Sequence, residues 1–158
     1  MINEMNWKDY ITIVASLISI VGAVVAWVRS IIISRDLRKR EYNIQIDKLS
    51  DNFEEFKCSS IQYWCNCDLK NGERNVLESS ILSKHKDISL QITRLDKNFK
   101  EFFTGTADII SELNCLNTEI TGNTFGEPNF KINTNKAKLI NSGAHTLKRI
   151  INDKYIKI

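Results

Sequence analysis

Residues 11–28 run Ile-Thr-Ile-Val-Ala-Ser-Leu-Ile-Ser-Ile-Val-Gly-Ala-Val-Val-Ala-Trp-Val without one charge, and this run constrains the chain more than anything else in it. About twenty mostly apolar residues are what a helix needs to cross a bilayer core of roughly 30 Å. Trp7 and Tyr10 precede the run and Trp27 stands near its end. On a helix rising 1.5 Å per residue, Trp7 and Trp27 lie about 30 Å apart, the spacing of two interfacial aromatic belts. The sequence therefore predicts a single-span membrane protein.

The flanks orient it. Glu4, Lys8 and Asp9 precede the span, whereas Arg29, Arg35, Arg38, Lys39 and Arg40 follow it against only Asp36 and Glu41. Basic residues favour the cytoplasmic side, so the N-terminus is expected outside and the rest in the cytoplasm of a bacterial inner membrane. A cleaved signal peptide would instead want a basic segment before the apolar run and a small-residue cleavage site after it. The expected division is a tail and spanning helix over 1–34 and a cytoplasmic helical domain over 35–158. One proline and six glycines in 158 residues leave few breaks, which favours long helices. The fold class expected is all-α.

Within the span, Thr12, Ala15, Ser19, Gly22 and Ala26 recur at intervals of three and four, and Arg29 continues the stripe. Small residues let helix backbones approach closely in lipid, so this stripe is a self-association face between chains. It suits either a tight helix seam or the wall of a pore. In a pore Arg29 would form a cationic ring, and in a seam it would snorkel to the headgroups.

Beyond the membrane the apolar periodicity continues through Tyr42, Ile46, Leu49, Phe53 and Phe56, predicting a stalk that ends near Cys58–Cys67. Further stripes are Ile81, His85, Ile88, Ile92, Leu95, Phe99, Phe102; then Ile109, Leu113, Leu116, Ile120; then Ala137, Ile140, Ala144, Leu147, Ile151. Asn71-Gly72 and residues 122–128 read as connections, and Thr106 as a cap for the third helix. Residues 42–56 align without a gap to 88–102, sharing Gln, Ile, Leu and the ending Asn-Phe-x-Glu-Phe. Asp51 and Glu54 in the first copy face Lys97 and Lys100 in the second, so the two helices are expected to pack as a charge-complementary hairpin. A common coiled-coil heptad would produce a similar likeness. The expected domain is a three- or four-helix bundle.

Catalytic signals are sparse. There is no phosphate-binding glycine loop, no His-Glu-x-x-His and no nucleophile elbow, so an enzyme is not expected, nor is a cofactor. His85 sits on an apolar stripe as a core histidine would. Cys58, Cys65 and Cys67, with Cys115 or His85, could ligate zinc, but the usual Cys-x-x-Cys spacing is missing and no metal site is expected. Thiols on the cytoplasmic side stay reduced.

The last helix carries the clearest binding signal. From Asn129 onward come Lys131, Lys136, Lys138, Lys148, Arg149, Lys154 and Lys157 against one acid, Asp153. Lys138, Asn141, His145, Arg149 and Asn152 fall on one side, away from the apolar stripe. A cationic, amide-bearing face attracts phosphates, and the candidate polyanion ligands are Lys136, Lys138, His145, Lys148, Arg149 and Lys154. A nucleotide, an oligonucleotide and an anionic leaflet all suit it, as does an ordinary solvated role. Only Phe130 and Tyr155 offer aromatic stacking.

The layout of span 11–28, basic juncture 29–40, helical bundle 41–121 and basic last helix 134–157 resembles the small membrane effectors of bacterial anti-phage defence, most specifically Hailong-type effectors. That resemblance implies a homo-oligomeric channel, with a tetramer favoured, working beside a cognate nucleotidyltransferase whose single-stranded oligonucleotide product holds the channel closed. A non-conducting membrane tether for a cytoplasmic partner, and a phage holin-like lysis or exclusion protein, are the other functions the layout accommodates.

Overall fold

The computed structural model describes residues 6–66, 69–122, 125–127 and 132–155. It is all-helical, with four helices in the order α1 (Trp7–Cys65), α2 (Asn71–Asn98), α3 (Thr106–Thr121) and α4 (Thr134–Tyr155), and no strand among the described residues. Two compact units divide inside α1, Met1–Glu41 and Tyr42–Ile158.

In the first unit α1 is the one helix among the described residues. Apart from Asp9, whose side chain lies outside the described set, residues 6–38 are all exposed, including Ile13, Leu17, Val21, Val24 and Val28. α1 is the one helix among the described residues long and apolar enough to cross a membrane. A helix can remain intact in lipid because it satisfies its own backbone groups. The hydroxyls follow the same economy: Thr12, Ser16 and Ser19 donate to the carbonyls of Lys8, Thr12 and Ala15, at 2.9, 2.8 and 2.9 Å.

The second unit has its own core. Burial begins at Tyr42 and follows Ile46, Leu49, Phe53, Phe56, Ser60 and Tyr63 down one face of α1. Ser60 is tolerated there because its hydroxyl donates to the Phe56 carbonyl at 2.7 Å. Ile81, Ile88, Ile92 and Leu95 of α2 meet that face, with Ile109, Leu113, Leu116 and Ile120 of α3 and Ile140, Ala144, Leu147 and Ile151 of α4. Each fully buried side chain of this size contributes roughly 1.5–3 kcal/mol relative to exposure.

Pairings across the bundle fix an up-down-up-down order. Antiparallel α1 and α2 are tied by Asn52 Nδ2 to Gln91 Oε1 at 2.9 Å, Tyr63 Oη to Glu78 Oε1 at 2.8 Å, and the Lys84–Glu55 ion pair. The C-terminal ends of α1 and α3 meet where Trp64 Nε1 donates to the Ile120 carbonyl. The start of α4 joins them through the Asn133 amide, which donates to the Trp64 carbonyl at 3.1 Å.

The expected hairpin between the two similar segments is present, and Asn52 of the first copy bonds Gln91 of the second. Its expected charge complementarity is not what joins it. In an antiparallel pair Glu54 lies far from Lys97 and Lys100, and it pairs with Lys57 and Lys148 instead. Nor is the likeness complete in structure. Phe53 and Phe56 are helical, whereas α2 ends at Asn98 and the amides of Phe102 and Phe103 both turn back to the Phe99 carbonyl at 2.8 Å. This corner packs Phe99, Phe102 and Phe103 around the Tyr42 ring, at centroid distances of 5.5, 5.6 and 6.5 Å.

Two expected boundaries move. Asn71-Gly72 opens α2 rather than connecting helices, because the Glu73 carboxylate accepts the Lys70 amide at 3.1 Å and starts the helix there. At α3 the N-cap is Gly105, left-handed at φ 83°, and not Thr106, whose hydroxyl is buried without a hydrogen-bond partner.

Candidate functional site

Three groups of side chains carry the functional possibilities, and the sequence indicated parts of each. On the first unit, Thr12, Ala15, Ser19, Gly22, Ala26 and Arg29 are all exposed along one side of α1. Apart from its own helix backbone, a Cβ added at Gly22 meets no atom of the described residues within 4 Å, which leaves an open notch on this side of α1. The stripe is less polar than its composition suggests, since the Thr12 and Ser19 hydroxyls bond to their own helix.

The second group lies at one end of the bundle. Lys136 begins α4 facing inward, only 6% exposed. Its ammonium donates to the Gly122 carbonyl at 2.7 Å and sits 4.1 Å from the centre of the Trp64 ring. Lys136 thus caps the C-terminal end of α3, where carbonyls lack helical partners and a cation is favoured. Burial holds its pKa below the usual lysine value, with Glu119 partly restoring it. Expected as a polyanion ligand, Lys136 is used inside the fold. The helical period is the reason: the face carrying Ile140, Leu147 and Ile151 also carries residue 136. The Asn133 side chain starts the same helix by accepting the Lys136 amide at 3.1 Å.

The third group forms a cleft of about 490 Å³ between α4 and the part of α1 in the same unit. Asn141, His145, Lys148, Arg149 and Asn152 line it from α4 with Ala144 and Asp153, and Glu54 and Lys57 line it from α1. Lys148 Nζ lies 3.2 Å from Glu54 Oε1, while Lys57 pairs with the other oxygen of the same carboxylate. The Lys57 hydrogen bond, reinforced by Lys148 and partly offset by burial, holds the Glu54 pKa below the ordinary value. Glu54 therefore stays ionised at neutral pH between two ammonium groups from different helices.

Of the expected polyanion ligands, the structure brings His145, Lys148 and Arg149 together in this cleft. Lys138 is exposed on α4 without lining it. The Lys154 side chain and residues Lys131, Lys157, Phe130 and Cys67 lie outside the described residues. Glu54 and Lys57 were not legible as site residues, because only the antiparallel return of α4 along α1 brings them there. Trp64 was missed too, although a core tryptophan usually finds a partner for its N–H.

His85 is half-buried, with Nε2 3.2 Å from Asn114 Oδ1 and its ring beside Phe56. Cys58, Cys65 and Cys115 are free and exposed. Among the described residues no group of three or more His, Cys, Asp or Glu is placed to hold a metal ion. In comparisons with family models, curated proteins and solved structures, nothing matches this chain.

Proposed function

We propose that this chain is a homo-oligomeric membrane effector of bacterial anti-phage defence, in which α1 crosses the inner membrane and the helical bundle senses a nucleotide or oligonucleotide signal in the cytoplasm. The observation that carries the reading is the contrast inside one helix. Up to residue 38 α1 exposes its apolar side chains on every side, and from Tyr42 onward it is the wall of a closed core. An apolar helix exposed on every side takes its partners from lipid and from other copies, and the Ala15, Ser19, Gly22, Ala26 stripe suits close approach of another helix. In a ring of four such chains the spans conduct ions. A ligand with unequal affinity for two arrangements of the bundle then shifts the open fraction. The anti-phage setting and the nucleotidyltransferase partner rest on the resemblance in layout.

Reconstitution of the full chain in liposomes and planar bilayers tests this. Discrete conductance steps from a complex of four or more copies, altered by a nucleotide ligand, are expected. A monomer or dimer that leaks no ions overturns the channel. One observation favours a second reading, a membrane tether: the Thr12, Ser16 and Ser19 hydroxyls are committed to their own backbone, which suits a dry helix seam better than a wet pore wall. The same conductance measurement separates the two.

A further inference from the structure

The α1–α4 cleft holds an anion already, and that anion belongs to the protein. Lys57 and Lys148 reach the Glu54 carboxylate from two helices. Arg149 and His145 stand exposed in the same cleft with no hydrogen bond or ion pair among the described residues. A guanidinium presents paired donors that match phosphate oxygens. Asn141 and Asn152 add amide donors from the same side of α4.

We propose that this cleft binds a terminal phosphate, a phosphomonoester dianion, and that Glu54 fills the phosphate position until the ligand displaces it. The inference rests on the sensing role assigned above and narrows what is sensed. Charge selects the dianion. Lys57, Lys148 and Arg149 oppose Glu54 and Asp153; with Glu54 displaced, three cations face one carboxylate, and the net charge of the lining complements a doubly charged phosphate. An internal diester of a strand carries one charge and leaves the site unbalanced.

Size and lining agree with this. About 490 Å³ lies within the range of small-molecule sites and accommodates one nucleotide rather than several. Among the described residues no phenylalanine, tyrosine or tryptophan lines the cleft, and recognition falls on the phosphate more than on stacking of bases. A free mononucleotide and the 5′-phosphorylated end of an oligonucleotide present the same chemistry.

Glu54 makes the site self-limiting. A weakly anionic metabolite does not dislodge a carboxylate held by two ammonium groups, whereas a dianion that also engages Arg149 does. Displacement releases the link between α1 and α4 that Lys148 and Glu54 provide, so occupancy is felt by both helices.

The test uses the full chain in lipid nanodiscs and equilibrium dialysis with adenosine monophosphate, a 5′-phosphorylated tetranucleotide and the same tetranucleotide without its terminal phosphate. The phosphorylated probes bind, and loss of the terminal phosphate weakens the tetranucleotide at least about tenfold, the scale of one charge-assisted hydrogen bond. Glu54→Gln tightens binding of the phosphorylated probes about tenfold by removing the competitor, while Lys148→Met and Arg149→Met each weaken it by a similar factor. Thermal melts by circular dichroism verify that all three variants fold. Tight binding of the monophosphate assigns the site to a free nucleotide; binding of the phosphorylated tetranucleotide alone assigns it to a strand end. Equal affinity with and without the terminal phosphate overturns the proposal, as does indifference to Glu54→Gln and Lys148→Met, or failure of every probe to bind Glu54→Gln at millimolar concentration. Conductance of the same protein in liposomes is read separately: phosphate binding without conductance removes the channel and leaves the cleft, and conductance without binding does the reverse.

Discussion

The indole N–H of Trp64 donates to the backbone carbonyl of Ile120 across 3.0 Å, joining residues 56 positions apart in sequence. Around this bond the ends of three helices meet. The Trp64 carbonyl accepts the Asn133 amide, and Lys136 lies over the indole while capping Gly122. Trp64→Phe is expected to cost about 2–3 kcal/mol, since it shrinks a buried ring and strands a carbonyl. Lys136→Met is expected to cost about 1–2 kcal/mol, the lost cap being offset in part by relief of a desolvated charge. Because the two side chains touch, the double variant should depart from additivity by about 0.5 kcal/mol or more, measured by urea unfolding followed at 222 nm. Binding of phosphorylated probes should be unchanged in Lys136→Met, which separates this lysine from those of the cleft.

Gly122 closes α3 where no side chain fits. Its amide donates to the Thr118 carbonyl at 2.9 Å, and a Cβ there would come within 2.8 Å of the same oxygen. Backbone cannot retreat as a flexible side chain can. Gly122→Ala should therefore destabilise the bundle by about 1–3 kcal/mol, seen as a lower melting temperature. Gly72, with open space around it, should accept alanine without that loss.

Alkaline pH should weaken the bundle through Tyr63. Its hydroxyl donates to Glu78 and accepts the Gly126 amide at 3.0 Å. Burial pushes its pKa from 10.0 up to about 12; the Gly126 bond opposes this, the Glu78 carboxylate adds to it, and Arg74 weakly offsets it. The folded state thus holds the phenol proton more tightly than the unfolded chain. That contribution is complete below pH 10, falls as the pH rises toward 12, and is gone above it. Lys136, whose pKa is lowered from 10.5, works in the opposite sense over the alkaline range, so the informative quantity is a difference. The gap in stability between the wild-type chain and Tyr63→Phe should narrow from pH 9 to pH 12 in unfolding titrations.

Gly22→Leu tests the proposed contact of α1 between chains. Since, apart from its own helix backbone, no atom of the described residues lies within 4 Å of the added Cβ, the variant should insert and fold as before. Its native mass in mild detergent should fall, and any conductance with it, because a leucine there holds neighbouring helices apart. An unchanged oligomer would place the contact on another face of α1.

Helix existence and core identity were legible in the sequence because both follow from period. Tyr42 to Phe56, Ile109 to Ile120 and Ile140 to Ile151 needed only three-and-four spacing to be read as buried faces. Helix ends were less legible, being decided by single bonds such as Lys70 to Glu73, or by the left-handed Gly105. The similarity of 42–56 to 88–102 illustrates the difference. The same Asn-Phe-x-Glu-Phe continues a helix before Lys57-Cys58-Ser59 and turns a corner before Phe103-Thr104-Gly105. Half the cleft was visible as a cationic face of α4. Glu54 and Lys57 were not, since nothing local in α1 announces which helix will lie against it 90 residues later.

Tyr42 begins the core, yet the carbonyl its hydroxyl meets belongs to Phe102, 60 residues further along. Translation at about 5–20 residues per second separates the two by roughly 3–12 s. The apolar run of residues 11–28 is made well before that partner exists. The face bearing Tyr42, Leu49, Phe53 and Phe56 meanwhile waits for α2, which starts only at Asn71. Synthesis therefore imposes an order on the molecule: apolar helix first, closed core second.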